Sequence, residues 1–230
     1  DELISSILKA QVDLIWNGGI GTYIKSSLEN NIDIGDKAND NLRINGKDVR
    51  AKSIAEGGNL GVSQLGRVEY ALNGGIINTD FIDNSAGVDC SDHEVNIKIA
   101  LNLAVAKGKI TIKERNDLLA KMTKQVEELV LADNFDQNLA ITILSLSPTL
   151  NIESFSHLIG RLEALGFLDR EVEFLPDKAE LSRRTIANQK MTRPELAVLL
   201  SYSKMALDKL LNNSTLTQDR HFKKHLVNYF

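Results

Sequence analysis

A single cysteine, Cys90, stands among 230 residues, alongside three prolines and one tryptophan. One thiol excludes an internal disulfide and a four-cysteine zinc site, and it fits a reducing, cytoplasmic setting. Apolar runs of the about 20 residues that a membrane helix needs are missing. There is no basic surplus either: Lys and Arg total 27 against 31 Asp and Glu, a formal net charge of −4. Nucleic-acid binding asks for a clustered basic face, so neither a nucleic acid nor a membrane is an expected partner. The Walker lysine and the G-x-S-x-G elbow are both absent, and no repeat period stands out. No secretory leader shows at the start. With no initiating Met and a helical pattern from the first residues, the chain is expected to be a piece of something longer. What is present is 43% hydrophobic and 25% charged, ample for a buried core.

Two textures meet near residue 106. Residues 1–106 are rich in glycine and asparagine, with short apolar runs between them. After a helix over 1–10, residues 12–16 (VDLIW) read as a strand buried on both faces, ending in Asn17-Gly18-Gly19. Residues 49–55 (VRAKSIA), ending at Glu56-Gly57-Gly58-Asn59, and 75–79 (GIINT), ending at Asp80, read as two more strands, with a helix over 63–72 between them. Strand, glycine turn, helix, strand is the rhythm of an open α/β sheet, in which ligands sit beyond the carboxyl ends of the strands. Residues 32–48 are polar and turn-rich, with a hairpin signal at Asn45-Gly46, and read as an excursion on the surface or over the site. From residue 107 the pattern is all helical. A box at Thr111 and Glu114 opens a helix to about 131, and further runs cover 137–145, 154–165, 178–190 and 193–211. Pro194 falls in the first turn of the last.

The stretch around which the chain is organised is DNSAGVDCSDHE, residues 83–94. It reads as a polar turn followed by a helix over 92–106, with Ser91 and Glu94 at capping-box spacing. A helix N-terminus behind small polar residues is an arrangement that binds anions, although ordinary turns share it. Ser91 is then either a cap alone or a cap whose hydroxyl also meets a ligand carboxylate. Cys90 reads as a packed thiol and His93 as a solvated side chain, since neither has a partner at catalytic or metal-ligand spacing. Gly19 and Gly21 invite a phosphate-loop reading, but Ile24 stands where G-x-G-x-x-G needs its third glycine, and a tight turn is the simpler alternative. Gly57, Gly58 and Asn59 are by themselves a plain turn that would also let a flat ligand lie on backbone. Arg220 to Lys224, with His221 and His225, make at most a surface patch.

The succession DLIWNGGIGTY, IGDKANDNLRING, AEGGNLGVSQLGRVEYALNGGIINTDFIDNSAGVDCSDHEVNIKI and, later, TRPELAVLLSYSK resembles the large-subunit NAD-specific glutamate dehydrogenases of bacteria. The likeness is densest over residues 13–99. It implies an α/β fold: residues 1–106 as the later half of a Rossmann-like dinucleotide-binding domain, and 107–230 as a C-terminal helical domain. It implies NAD as cofactor, with Gly18 and Gly19 near the adenosine part, Gly58 and Asn59 beside the nicotinamide ribose and pyrophosphate, and Asn84 at the nicotinamide end. Val88 and Ser91 match the valine and serine beside the glutamate side chain, the serine hydroxyl binding the γ-carboxylate, so that cap and substrate contact together become the better reading of Ser91. The family's N-A-G-G-V turn reads N-S-A-G-V here, with Ser85 and Ala86 replacing alanine and glycine. The family's catalytic lysines and aspartate and its first phosphate fingerprint lie upstream and are not in these residues. No catalytic residue and no metal ligand is therefore assigned to this chain.

The expected function is a share in oxidative deamination of L-glutamate to 2-oxoglutarate and ammonium, in a parent that forms a homo-oligomer, with the isolated chain inactive. Two alternatives stay open: a dehydrogenase of another amino acid, and a non-catalytic helical module for assembly or regulation.

Overall fold

Short apolar runs between glycine and asparagine turns make the strands, and these are shorter than the sequence spacing predicts. The computed structural model describes residues 1–223. Of the basic patch expected at the tail, Lys224 and His225 lie outside the described residues. β1 (Leu14–Asn17) and β4 (Ser53–Glu56) pair in parallel, Leu14 opposite Ser53 and Asn17 opposite Glu56. β2 (Ile24–Lys25) pairs in parallel with β3 (Ile44–Asn45), and the short helix α2 (Asn31–Ile34) lies between them in the chain. Parallel strands beside helices make this an α/β chain in which helix predominates.

Three expectations change in the strand-bearing part. The strand expected at 75–79 reduces to a single bridge, Ile76 opposite Ser53. Beyond it, Thr79 turns the chain into the short helix α4 (Asp80–Asp83). β1 is not buried on both faces: Leu14 is 52% and Trp16 62% exposed. Ile15, between them, packs on the apolar cluster of the sheet, as does Leu8 of α1 (Glu2–Leu8), so only one face of the strand is covered. The hairpin at Asn45-Gly46 does not form; β3 runs parallel to β2 and a 3-10 turn (Gly46–Asp48) follows. Tertiary contact wins over turn propensity there. The Glu69 carboxylate accepts the Lys47 N–H at 3.1 Å, and Gly46 lies against the Gly66 carbonyl.

Both of those partners belong to α3 (Gln64–Leu72), which begins at Ser63, whose Oγ accepts the Gly66 N–H at 3.0 Å. It buries Val68 and Tyr70, and the Tyr70 hydroxyl donates to the Ala51 carbonyl at 2.7 Å. Tyr70 packs with Ile24, Ile44, Ile54, Val62 and Ile77 into one apolar cluster. Each such isoleucine contributes about 1.5–3 kcal/mol by leaving water.

The helical part has its own cluster, centred on Ile141, Ile159, Leu196 and Leu199, all at most 1% exposed. α6 (Ile112–Leu146) opens with the expected box, the Glu114 carboxylate accepting the Thr111 N–H at 2.7 Å. It then runs unbroken through the two separate runs expected, since residues 132–136 (ADNFD) hold no glycine or proline to stop it. α7 (Ile152–Ala164) is capped by Asn151, and Gly166 at φ +72° ends that stretch of chain. α8 (Lys178–Ile186) and α9 (Arg193–Asn212) follow.

Two compact units result. The first comprises Asp1–Asn84 and Asn138–Asp208 and holds both apolar clusters. The second comprises Ser85–Gln137 and the described residues from Lys209 on. Its α5 (Ser85–Ala106) and α6 bury Ile97 and Val130. No helix among the described residues is long and apolar enough to cross a membrane.

Candidate functional site

At the carboxyl ends of β1 and β4 two glycine turns face each other. The Gly57 and Gly58 N–H groups both donate to the Asn17 carbonyl, at 2.8 and 3.2 Å. A Cβ on Gly58 would overlap the Gly19 carbonyl oxygen, so only glycine lets the two turns approach this closely. Gly19 differs: nothing lies within 4 Å of where its Cβ would stand. From the start of α4's exit, Asn84 Nδ2 donates to Asn59 Oδ1 at 3.3 Å. Gly18, Gly19, Gly58, Asn59 and Asn84 are thus gathered at one end of the sheet. Beside them a cavity of about 340 Å³ is lined by Trp16, Asn17, Gly19, Tyr23 and the apolar Ile15 and Ile54, among others.

Buried charge fixes the second turn. Glu56, fully buried, accepts Arg67 Nε at 2.8 Å and Nη2 at 3.1 Å, and also the Val62 N–H at 3.1 Å. Arg67 Nη2 reaches on to Asp80 Oδ1 at 3.3 Å. Asp80 Oδ2 accepts the Leu60 N–H at 2.8 Å, so the tip of the turn hangs from the end of this chain of charges. Asp83 Oδ2 accepts the Glu56 N–H at 3.0 Å, and its Oδ1 accepts Asn78 Nδ2 at 2.9 Å. Asn78 Oδ1 in turn accepts Arg193 Nε at 2.9 Å, which ties the site to the first turn of α9. Burial raises the Glu56 pKa, and the Arg67 guanidinium opposes that without cancelling it. Burial raises Asp83 too, against the Asn78 hydrogen bond. Leu60 itself stands at φ +56°, a left-handed conformation a leucine adopts only when held there.

Val88 and Ser91 lie in the second unit, both exposed on α5. α5 begins at Ser85, so the N-S-A-G-V stretch is its first turn and no loop precedes residue 92. Ser91 is therefore not a cap. The S-x-x-E spacing is met in mid-helix, where Glu94 pairs with Lys98 one turn on. The helix starts early because Ser85 is anchored: its Oγ accepts Asn134 Nδ2 from α6 at 2.9 Å. Cys90 was expected to pack but is exposed, at the rim of a cavity between α5 and α6 that Ile97 and Val130 also line. His93, expected in solvent, is buried, with Nε2 3.7 Å from Asp133 Oδ2. Among the described residues no three His, Cys, Asp or Glu side chains gather as metal ligands.

Sequence reasoning passed over Arg67, Asp80, Asp83 and Thr22, which shape the two turns. Their partners in the two turns are 11 to 38 residues away, and a charged side chain inside an amphipathic helix reads as surface. The one available signal was a carboxylate, Glu56, in the middle of an apolar strand end.

Comparison with known proteins identifies the family. The family model described as bacterial NAD-glutamate dehydrogenase, catalytic domain, matches residues 1–144. The model described as glutamate dehydrogenase, C-terminal, matches 188–230. An NAD-specific glutamate dehydrogenase of Pseudomonas aeruginosa is 53% identical over 229 residues, covering all of this chain and 14% of that protein. The protein of the same name from Halomonas elongata is 54% identical over 207 residues, 90% of this chain and 13% of its own length. The one from Mycobacterium tuberculosis is 48% identical over 228 residues, 99% and 14%. The chain thus spans about 14% of the length of these relatives. With the catalytic-domain model covering well over half of its residues, the chain belongs to the bacterial NAD-glutamate dehydrogenase family.

Proposed function

We propose that these residues are part of an NAD-dependent glutamate dehydrogenase, and that the two facing glycine turns are a portion of its dinucleotide site. On this reading residues 1–106 are the later half of a Rossmann-like domain and 107–230 a helical C-terminal domain. The observation that carries it is the approach of Gly19 to Gly58 at the carboxyl ends of two parallel strands, with the Asn59 and Asn84 amides hydrogen-bonded alongside. A dinucleotide needs such a place: backbone that can be approached closely, and amides that both donate and accept. The open space at Gly19 and the largely apolar cavity beside it suit a flat ring. The names of the relatives supply the substrate and the cofactor.

Bound there, NAD would take hydride from the glutamate Cα, giving 2-iminoglutarate and, after hydrolysis, 2-oxoglutarate and ammonium. This chain's part is to hold and orient. Asn59 and Asn84 fix the nicotinamide end. Gly18 and Gly19 admit the adenosine end. Val88 and Ser91 meet the glutamate side chain, with the exposed Ser91 hydroxyl donating to its γ-carboxylate. The groups that move protons belong to other parts of the parent. The parent is read as a cytoplasmic homo-oligomer, and the exposed apolar stripe Val95, Ile99 and Leu103 on α5 supports association.

The test uses the full-length parent, with NADH formation followed against a panel of amino acids. L-Glutamate is expected to be the preferred substrate. Ser91→Ala should raise KM for glutamate about tenfold, the worth of one charge-assisted hydrogen bond, and leave KM for NAD unchanged. Asn84→Ala should do the reverse. A parent that reduces NAD equally well with other amino acids, or variants that match the wild type in both constants, would overturn the assignment. The 230-residue chain alone should form no NADH.

A further inference from the structure

The proposed function leaves one well-built feature without a role: residues 31–43, the polar excursion between β2 and β3. Its centre is Arg43, whose side chain is 0% exposed. The guanidinium donates to Asp40 Oδ1 at 2.7 Å, to Asn31 Oδ1 at 2.8 Å and to the Asp36 carbonyl at 2.6 Å, which closes the excursion on itself. Its remaining Nε reaches outside the excursion and donates to the Thr22 carbonyl at 2.8 Å. Asp36 completes the grip from the other end. Its Oδ2 accepts the Thr22 N–H at 2.8 Å and Asn39 Nδ2 at 2.7 Å. Both backbone groups of Thr22 are therefore held by the excursion. The Thr22 side chain is buried and does something else: Oγ1 donates to the Leu60 carbonyl at 2.6 Å. Leu60 is the residue at φ +56° whose N–H is held by Asp80.

These contacts form one line, from the excursion through Thr22 to the tip of the second glycine turn. Thr22 follows the Gly18–Gly19 turn by three residues, and Leu60 follows Asn59 directly. A left-handed leucine relaxes unless its neighbours over-determine it. Here the N–H is fixed from one side and the carbonyl from the other. We propose that residues 31–43 are a strap, and that Asp36, Arg43 and Thr22 are positioning residues that set the distance between the two glycine turns and thereby the affinity for the dinucleotide. The inference rests on the reading of those turns as a dinucleotide site. None of the three touches the ligand in this account; each acts through the Leu60 peptide and so through Asn59. The Asp36 carboxyl is held below the ordinary carboxylate range, first by the Asn39 amide and then by the Thr22 N–H.

The experiment is steady-state kinetics of the full-length parent with Thr22→Val, Thr22→Ser, Asp36→Ala and Asp36→Asn. Thr22→Val keeps the shape and deletes only the donor to Leu60. It should raise KM for NAD about tenfold, the worth of one buried carbonyl left without its hydrogen bond, with kcat and KM for glutamate within about twofold. Thr22→Ser should restore the wild-type KM for NAD. Asp36→Ala should act as Thr22→Val does, and Asp36→Asn should recover part of the loss. A strap that served only folding would lower the thermal midpoint and the active fraction with both KM values unmoved, and that outcome overturns the proposal. So does a rise in KM for glutamate in place of NAD. If Thr22→Val fails to fold, a wild-type KM for NAD in Asp36→Asn together with Asp36→Ala refutes the strap by itself. Failure of the underlying reading looks different: the wild-type parent then shows no glutamate-dependent reduction of NAD, whatever the variants do.

Discussion

Arg67 and Glu56 carry the sharpest consequence at the scale of single residues. Both are buried, and each is the other's main partner. Removing one partner of a buried pair leaves an uncompensated charge and costs about 3–5 kcal/mol. Arg67→Met should therefore destabilise the region strongly, measurable by urea denaturation or by faster amide exchange over residues 57–62. The pH dependence has a definite sign. Burial raises the Glu56 pKa above its ordinary 4.5, so this carboxyl's contribution is full below that value and is lost as pH rises through its raised one. Arg67 pulls that pKa down, so deleting it enlarges the loss. The penalty of Arg67→Met should accordingly be larger at about pH 8 than at about pH 5, and an equal penalty at both would remove the pair from the account. Glycine substitutions separate fold from ligand. Gly58→Ala drives a methyl into rigid backbone and should lower stability and NAD binding together, whereas Gly19→Ala meets open space and should leave the unfolding midpoint where it was.

Among the elements, the last turn of α8 is joined to the first turn of α9. Glu180 pairs with Arg183 and Arg184, and Arg184 continues to the buried Glu195 at 2.8 Å. The Arg183 hydrogen bond, followed by Arg184, pulls the Glu180 carboxyl down to about 2. A lowered carboxyl contributes above its ordinary 4.5 and loses that contribution as pH falls toward about 2. Titration of Glu180 followed by carboxyl NMR should have its midpoint near that low value, and Arg183→Gln should move it up. Glu195 also closes the N-terminal box of α9, accepting the Thr192 N–H and hydroxyl, both at 2.7 Å. Thr192→Ala should cost about 1–2 kcal/mol, toward the upper end because the cap is buried, as read from chemical denaturation. The starts of α6 and α9 were legible as a threonine followed three residues on by a glutamate, whereas Ser63 and Asn151, which cap α3 and α7, were not read as caps. The start of α5 was not legible, because its anchor is a hydrogen bond from Asn134, some 49 residues on.

At the scale of the whole molecule, exposed apolar side chains set the behaviour of the 230 residues by themselves. Leu3 is 73% exposed, Trp16 62% and Ile99 63%, and they lie on elements that bury little else. Apolar faces of this kind are covered by other protein in soluble assemblies or drive association. Purified alone, the chain should self-associate as its concentration rises, which sedimentation velocity would detect; a monodisperse monomer at every concentration would contradict this.

The sequence by itself determined the chemistry that short range controls: helix spacing and caps, glycine turns at strand ends, and the motifs that place the chain in its family. Those signals are local, carried by residues within a turn or two of each other. Tertiary structure alone decided which turns meet. Gly19 faces Gly58, Thr22 grips Leu60, and Glu56 finds Arg67, because packing brings together groups that the chain separates. It also decided against local preference where the two conflicted. Asn45-Gly46 yields its hairpin to Glu69, and Ser91 loses its capping role to a helix that starts at Ser85. In each case a few hydrogen bonds and buried contacts from distant residues outweigh a turn or cap propensity of about 1 kcal/mol.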